Sequence, residues 1–511
     1  MSVQLPRLLA SGMVLQRDAA VTLWGAADEP VTVTFLGQRY HALPDASGQW
    51  RVALPGLAPG GPFQLRINEH VLQDVYVGDV WLCSGQSNMQ LPMERVRHMY
   101  PEAWQETMPT IRQFTVPQRT DFSGPQADLE DGCWQCASPE TLYGFSAVGY
   151  FFARRLLQAH NVPIGLLQCA IGGTPIHAWM SRKALAEFPE LLKAADLCAD
   201  DEYMSRTQTE SQQSNALFFS QLRQRDPGLA DQWFAPDFDD SGWESRPLLS
   251  PWEGTGALWL RKTLHIPPGL AGQPATLFLG TVTDWDVVYV NGKPIGTTTY
   301  RYPPREYRIS ALPAGRCVIA IRVISKDGGG FTPGKQYLLS TAHGCLNLNG
   351  DWRFRWGSHA APPAPEVFFH YEPTGLFHGM LAPLQAYTIR GALWYQGESD
   401  AANPSCYAEK CAAMVRDWRA GWGYDFPFLS VELAHWGEGA HWHTLRDQQW
   451  QALERIPNTA MAVANDVGEH NDLHPQNKQT IGERLARCAL RLAYGERLPP
   501  SPFELVPFRN E

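Results

Sequence analysis

The chain reads as an α/β protein with a β-rich segment at its start and a second β-rich segment set inside the α/β part. Three features predict this. Apolar runs at 77–83, 164–170, 391–395 and 459–464 each lead into a loop of glycine and polar residues, with helical patterns between them, the alternation that builds a parallel sheet. Residues 1 to about 75 carry short alternating runs, such as Val31-Thr32-Val33-Thr34-Phe35 and Phe63-Gln64-Leu65-Arg66-Ile67, parted by Gly, Pro and Asp turns at the spacing of a small β-sandwich. From about 206 to 357 the texture is all-β again and interrupts the α/β pattern.

In chain order, the first α/β part covers 76–205. Its opening strand runs into Ser84-Gly85-Gln86-Ser87-Asn88-Met89, and a helix carrying Val148, Phe151, Phe152, Leu156 and Leu157 precedes the strand at 164. The β segment of 206–357 contains strands such as 275–279 and 286–290, followed by Asn291-Gly292. That dipeptide accepts positive φ at both positions and marks a tight hairpin turn. The α/β pattern resumes over 358–511: a strand at 391, a helix from about 405 to 420 with Tyr407, Met414 and Trp418, and a strand at 428–431. A helix near 444–455, the strand at 459 and a helical pattern with Ile481, Leu485 and Leu490 complete it. The expected segments are therefore 1–75, 76–205, 206–357 and 358–511, the third inserted into the α/β domain.

Composition excludes several classes. At 511 residues, 44% hydrophobic and 18% charged, the chain has ample core and is neither disordered nor fibrous. A net charge of −10 argues against nucleic acid or an anionic membrane as partner, since both reward a basic face. No run of about eighteen apolar residues suggests a membrane-spanning helix. The opening Met1-Ser2-Val3-Gln4-Leu5-Pro6-Arg7 lacks a basic stretch followed by an apolar core. No secretory signal is expected in the sequence as it stands, which points to the cytoplasm, or beyond it if a leader has been removed. Of ten cysteines, Cys133 and Cys136 form a lone Cys-x-x-Cys, and the other eight are scattered, several in apolar runs. They read as small buried hydrophobes, not as zinc ligands. No metal and no cofactor are implied.

The chemistry gathers at strand ends. Ser87 stands just past a strand on a tight turn, where its hydroxyl is exposed and backbone N–H groups can face a substrate oxygen. Such a serine needs a base. His474 lies in a loop that follows the strand at 459, and Asp472, two residues earlier, is placed to hold the imidazole in one tautomer. Gly172-Gly173 ends the run at 164–170 and lets backbone N–H groups approach a ligand closely. Gln396, after the run at 391–395, offers an amide donor for a developing oxyanion. Each of these alone reads as an ordinary turn, but the four in order make a constellation.

The motifs Gly-Gln-Ser-Asn-Met, Gly-Gly-Thr-x-Ile-x-x-Trp (172 to 179), Trp-Tyr-Gln-Gly-Glu-Ser (394 to 399) and Asn-Asp-Leu-His-Pro with Asn477-Lys478 resemble the sialate O-acetylesterase group of SGNH hydrolases. The likeness extends to the stretches at 12–17 and 375–380. That group includes bacterial acetylesterases acting on plant hemicelluloses such as xyloglucan. The resemblance implies a three-layer α/β/α SGNH domain, and the segment at 206–357 resembles galactose-binding-like jelly rolls. It also implies a serine esterase acting on an acetylated sugar or oligosaccharide, with Ser87 as nucleophile and His474 as base. The oxyanion would be held by the N–H groups of Ser87 and Gly173 and by the Gln396 amide. The superfamily places its aspartate three residues before the histidine, where this chain has Asn471. The third place therefore falls to Asp472, with Asp466 or a backbone carbonyl as alternatives. Glu398 stands near the position of the superfamily's oxyanion asparagine, but an ionised carboxylate repels an oxyanion. Its expected part is to brace the loop, bonding Asn88 or Arg446. Of nineteen tryptophans, Trp179 and Trp394 adjoin these motifs and are the ones expected to face a sugar.

Two rival readings remain. A glycoside hydrolase would use Glu398 and Asp472 as paired carboxylates. A carbohydrate-binding protein without catalysis would suit the β segments and many aromatics, yet has no use for a serine and a histidine at separate strand ends.

Overall fold

The computed structural model describes residues 3–436, 440–469 and 472–505. The protein is mixed α/β and divides into two compact units, Met1–Asp201 with Phe368–Glu511, and Glu202–Val367.

The first unit is organised around one long strand, His70–Gly85, buried without interruption from Val75 onward, as expected of a strand covered on both faces. Its early part pairs with Gly60–Ile67 and Val14–Gln16. Its later part pairs in parallel with Ile164–Ala170 on one side and Gly391–Tyr395 on the other. The boundary expected at residue 75 thus falls inside a continuous strand, and the N-terminal β segment shares a unit with the α/β part. Physically, no turn interrupts 70–85, and Gly78 continues the strand. A buried carboxylate fastens the joint. Asp79 accepts from Arg17 Nε (3.0 Å), Gln16 Nε2 (3.2 Å) and Tyr494 OH (2.8 Å), while Gln16 Oε1 accepts from the Val80 N–H at 2.8 Å. A buried charge persists only when its lone pairs are satisfied in this way.

Across the main sheet the strand order is Glu504–Leu505, Thr459–Ala462, Phe428–Val431, Gly391–Tyr395, His70–Gly85, Ile164–Ala170, Met108–Thr115 and Trp134–Ala137. The two edge strands are antiparallel and the rest parallel. From His70–Gly85 the chain builds to one side first and later to the other, which makes that strand a topological switch point, where α/β sheets place their sites. Helix Ala147–His160 packs on Lys478–Leu492, and Tyr407–Trp422 packs on Ala440–Arg455. The first begins at Ser146, whose Oγ accepts from the Gly149 N–H at 3.1 Å, and ends at Asn161 in the left-handed region. Its Phe152 meets the Trp81 ring edge-on at 5.0 Å. The helices expected near 405 and 444 begin at Tyr407 and Ala440.

The second unit holds two antiparallel sheets. One has six strands, ordered Glu244–Pro247, Asp351–His359, Gly256–Ile266, Gly315–Ser325, Trp285–Val290, Lys293–Thr298. The other has four: Glu306–Ile309, Ala275–Leu279, Tyr337–Thr341 and Gly344–Asn347. Leu258, Leu260, Ile319 and Ile321 of the first sheet and Leu277, Leu279 and Leu339 of the second share one apolar cluster. Asn291 (φ +45°) and Gly292 (φ +81°) make the hairpin turn read from the sequence. The all-β reading from residue 206 is corrected by a 25-residue helix, Asp201–Arg225, whose only buried residues are Ser211, Phe218 and Leu222. So polar a helix shows no apolar stripe to betray it.

Gly85 has φ +133°, and a Cβ there would lie 2.2 Å from the Tyr395 carbonyl oxygen. Gly85→Ala is therefore expected to destabilise the first unit by at least about 2 kcal/mol, measured by urea unfolding. A loss below about 0.5 kcal/mol would mean that the strand ends are not held this closely.

Candidate active site

Parallel register sets Gly85 opposite Ala170 on one side and Tyr395 on the other. The segments leaving those three residues therefore emerge side by side: Gln86-Ser87, Ile171-Gly172-Gly173 and Gln396-Gly397. Ser87 opens the short helix Ser87–Gln90. A Cβ on Gly172 would stand 3.4 Å from Ser87 Cβ, so the glycine pair lies directly against the serine. His474, between Thr459–Ala462 and Lys478–Leu492, reaches the same place: its Nε2 is 2.9 Å from Ser87 Oγ. Sequence positions 387 apart are thus joined by one hydrogen bond.

Asp472 Oδ1 accepts the backbone N–H of His474 at 2.9 Å and lies 3.6 Å from the ring Nδ1. That separation makes the carboxylate an electrostatic neighbour of the imidazole, outside hydrogen-bond range. Asp466, the sequence alternative, has both oxygens held by Arg484 at 2.6 and 2.7 Å, and that pairing keeps its carboxyl below the usual carboxylate range. Asn471 lies outside the described residues. Gly172 N–H donates to Gln90 Oε1 at 2.7 Å. The N–H groups of Ser87 and Gly173 have no hydrogen-bond partner among the described residues. Gly173 has φ +78°, and a Cβ on it would meet the Tyr371 hydroxyl at 2.1 Å.

Gln396 has a different part from the one expected. It is fully buried, its Nε2 faces Asp400 Oδ2 (2.6 Å), Gln86 Oε1 (3.1 Å) and the Thr174 carbonyl (3.1 Å), and its Oε1 accepts from Tyr407 OH at 2.9 Å. With two N–H bonds committed among three acceptors, the amide braces the loop and has no hydrogen left for an oxyanion. Trp179 and Trp394 are likewise corrected. They are 0% and 1% exposed, with indole N–H groups donating to Thr174 Oγ1 and Tyr407 OH. Large rings beside the site are core here, not a sugar platform. Of the two partners expected for Glu398, the structure chooses Asn88, whose Nδ2 donates to Glu398 Oε1 at 2.5 Å and to the Leu473 carbonyl at 3.1 Å. Arg446 pairs with Glu432 at 2.8 Å.

Three further residues carry the site. Gln86 Oε1 gathers donors from Gln396, Gly397 and Ser399. Lys478, 0% exposed, donates to Asn88 Oδ1 and lies 5.3 Å from the centre of the Tyr395 ring. Its signal was legible, since a lysine three and seven residues before Ile481 and Leu485 shares their apolar stripe. Tyr371 closes over Gly173, and its ring sits 5.2 Å from Phe368 and 4.6 Å from His370. Its segment is linked to the ring of His177, whose Nε2 lies 3.0 Å from the Tyr371 carbonyl and whose basicity burial lowers to about 4. Among the described residues no group of three or more His, Cys, Asp or Glu side chains is placed to hold a metal ion.

The model of the family described as "Carbohydrate esterase, sialic acid-specific acetylesterase" matches residues 77–218 and 366–491, more than half of the chain. The chain belongs to this family of carbohydrate esterases. A sialate O-acetylesterase of Rattus norvegicus is 25% identical over 536 aligned residues, covering 95% of this chain and 72% of its own length. Another, of Pongo abelii, is 33% identical over 202 residues, 34% of this chain and 38% of its own. Among solved structures, a carbohydrate acetylesterase from Xanthomonas citri superposes with a TM-score of 0.60 at 27% identity, over 97% of this chain and 77% of that one. All of the site residues named above in the carbohydrate esterase lie within the two stretches that the family model matches.

The new role of Gln396 is separable from the old. Gln396→Leu strips a donor from buried Asp400, a carboxyl that burial already pushes upward, and should cost about 2 kcal/mol or more in denaturant unfolding. An oxyanion donor would show the reverse: a kcat lower by about 10²-fold or more at unchanged stability.

Proposed function

We propose that the protein is a serine esterase that removes O-acetyl groups from a carbohydrate through an acetyl-enzyme, with Ser87 as nucleophile and His474 as general base. The observation that carries this reading is the 2.9 Å approach of His474 Nε2 to Ser87 Oγ. Nε2 takes the serine proton as Oγ attacks the acetyl carbonyl, then returns it to the departing sugar hydroxyl. Water then attacks the acetyl-enzyme, giving its proton to Nε2, and as the bond to Oγ breaks Nε2 passes that proton back to Ser87 and acetate leaves. The N–H groups of Ser87 and Gly173, which have no partner among the described residues, receive the charge that develops on the carbonyl oxygen. Asp472, at 3.6 Å from Nδ1, favours the transient imidazolium by its charge, since Coulomb attraction outlasts hydrogen-bond range.

In this reading the parallel sheet and its two helix pairs are the three-layer SGNH domain. The two-sheet second unit is an inserted galactose-binding-like jelly roll. The substrate is an acetylated sialic acid or an acetylated plant hemicellulose such as xyloglucan or xylan, a reading supported by the family description and the names of the relatives. The aromatic group of Phe368, His370 and Tyr371 beside Gly173 offers its faces to the apolar C–H side of a sugar ring. Glu398 as a glycosidase acid is not favoured, because Asn88 donates to its Oε1 and its Oε2 is shut off from solvent.

Ser87→Ala and His474→Ala should each lower kcat on an aryl acetate by about 10³-fold or more, and the double variant should be little worse than either single, because the pair acts as a unit. Mass spectrometry of the rapidly quenched enzyme should find the acetyl group on the Ser87 peptide. Undiminished turnover by Ser87→Ala would end the serine reading. Asp472→Asn should cost about tenfold to 10²-fold in kcat, less than the ~10⁴-fold seen where the aspartate directly holds Nδ1. A 10⁴-fold loss would show that the carboxylate closes on the ring during turnover.

A further inference from the structure

We propose that Lys478 is a positioning residue for this reaction: by donating to Asn88 Oδ1 it fixes the sense of an amide that ties the Ser87, His474 and Glu398 segments together. The proposal rests on the Ser87–His474 reading. Asn88 is the residue after the serine, and its side chain has three partners from three parts of the chain. Its Oδ1 accepts from Lys478 Nζ, and its Nδ2 donates to Glu398 Oε1 and to the carbonyl of Leu473, the residue before His474. An amide can turn over and exchange donor for acceptor. Here an ammonium can only donate, a carbonyl can only accept, and a carboxylate accepts only while ionised.

The ionisation of Glu398 is the weak point of that arrangement. The residue is half-buried, its Oε2 is shut off from solvent with no hydrogen-bond partner among the described residues, and desolvation raises its pKa. A protonated Glu398 could donate to Asn88 and let the amide invert. Lys478 opposes this as the nearby cation. The groups facing it are Glu398 and the Tyr395 ring from strand Gly391–Tyr395 and its loop, and Asp472 and Glu469 from the histidine loop. His474 shares the field of Glu398. Burial lowers the amine itself to about 7, and the three carboxylates hold it up. A buried ammonium is costly unless hydrogen bonds and neighbouring carboxylates offset its lost hydration, as Asn88 and these three groups do here.

The sign of the effect follows. Removing the cation takes away an attraction that favours the ionised Glu398, so its pKa rises further. The active form needs Glu398 ionised, so this change moves the acidic limb of kcat/KM to higher pH. Lys478→Met should lower kcat by about 10²-fold, change KM less than about threefold, and shift that limb upward by about half a pH unit or more. Lys478→Gln keeps a donor without the charge and should show the same limb shift with a smaller loss of rate, which preserves the test if the methionine variant fails to fold. In a Glu398→Gln background, where nothing is left to protonate at that position, Lys478→Met should move the limb by less than half as much. Rates, pH profiles and thermal unfolding of the full chain on an aryl acetate supply all the readouts.

Unchanged rate and limb in Lys478→Met would overturn the proposal. So would a lost rate with an unmoved limb, the mark of a spacer alone, or a full limb shift that persists in Glu398→Gln. Ser87→Ala run alongside separates the two levels: an active Ser87→Ala sinks the serine reading itself, whereas an inactive one beside an unaffected Lys478→Met sinks only the role of the lysine.

Discussion

Everything at the site depends on the register of three parallel strands. Gly85, Ala170 and Tyr395 end abreast, so the residues that follow them have no choice but to share one ledge. The hydrogen bond from Gln86 N–H to the Tyr395 carbonyl, at 3.0 Å, extends that register one residue past the strand. Gly85 lets the two backbones come close enough for it, since any side chain there would strike the same carbonyl. A slip by one residue would turn every side chain to the opposite face and take the serine with it. The chemistry is therefore only as well placed as the backbone ladder beneath it.

Above the ladder lies a layer of buried polar groups that satisfy one another. Gln396, Asp400, Gln86 and Tyr407 form one set, and Asn88, Glu398 and Lys478 another. Each such group is costly to bury alone, and a satisfied network rigidifies what it joins. The first set holds the loop after Gly391–Tyr395 against the serine turn. The second joins that loop to the histidine segment through Asn88 and Leu473. The reaction proposed for Ser87 demands placement within a fraction of an ångström, and loops alone do not give it. The polar layer lends the loops the stiffness of the sheet.

Legibility followed the range of the interaction. Short-range signals were read well: the Asn291-Gly292 turn, the helix bearing Val148 to Leu156, and the strand at 428–431. Failures came where the deciding contact lay elsewhere. The helix Asp201–Arg225 has too few buried residues to mark a periodic face. The boundary at 75 vanished into a strand whose two halves pair with different sheets' worth of neighbours. Gln396 had the right chemistry for an oxyanion donor, but Asp400, Gln86 and Thr174 took its hydrogens. Trp179 and Trp394 adjoined the motifs yet turned into the core.

From the sequence alone came the strand ends and the residue types upon them: a serine, a glycine pair, a glutamine and a histidine, in that order along the chain. These are local matters of strand patterning and turn chemistry, and the chain carries them without help. Which of those groups meet was decided only by the tertiary structure. Ser87 and His474 are 387 residues apart, and no periodicity links them. Nor could the sequence say that Glu398 would choose Asn88 over Arg446, or that Lys478 would donate to that same Asn88. A hydrogen bond reaches about 3 Å, so its partner is settled by packing, and packing exists only once the sheet has closed its register.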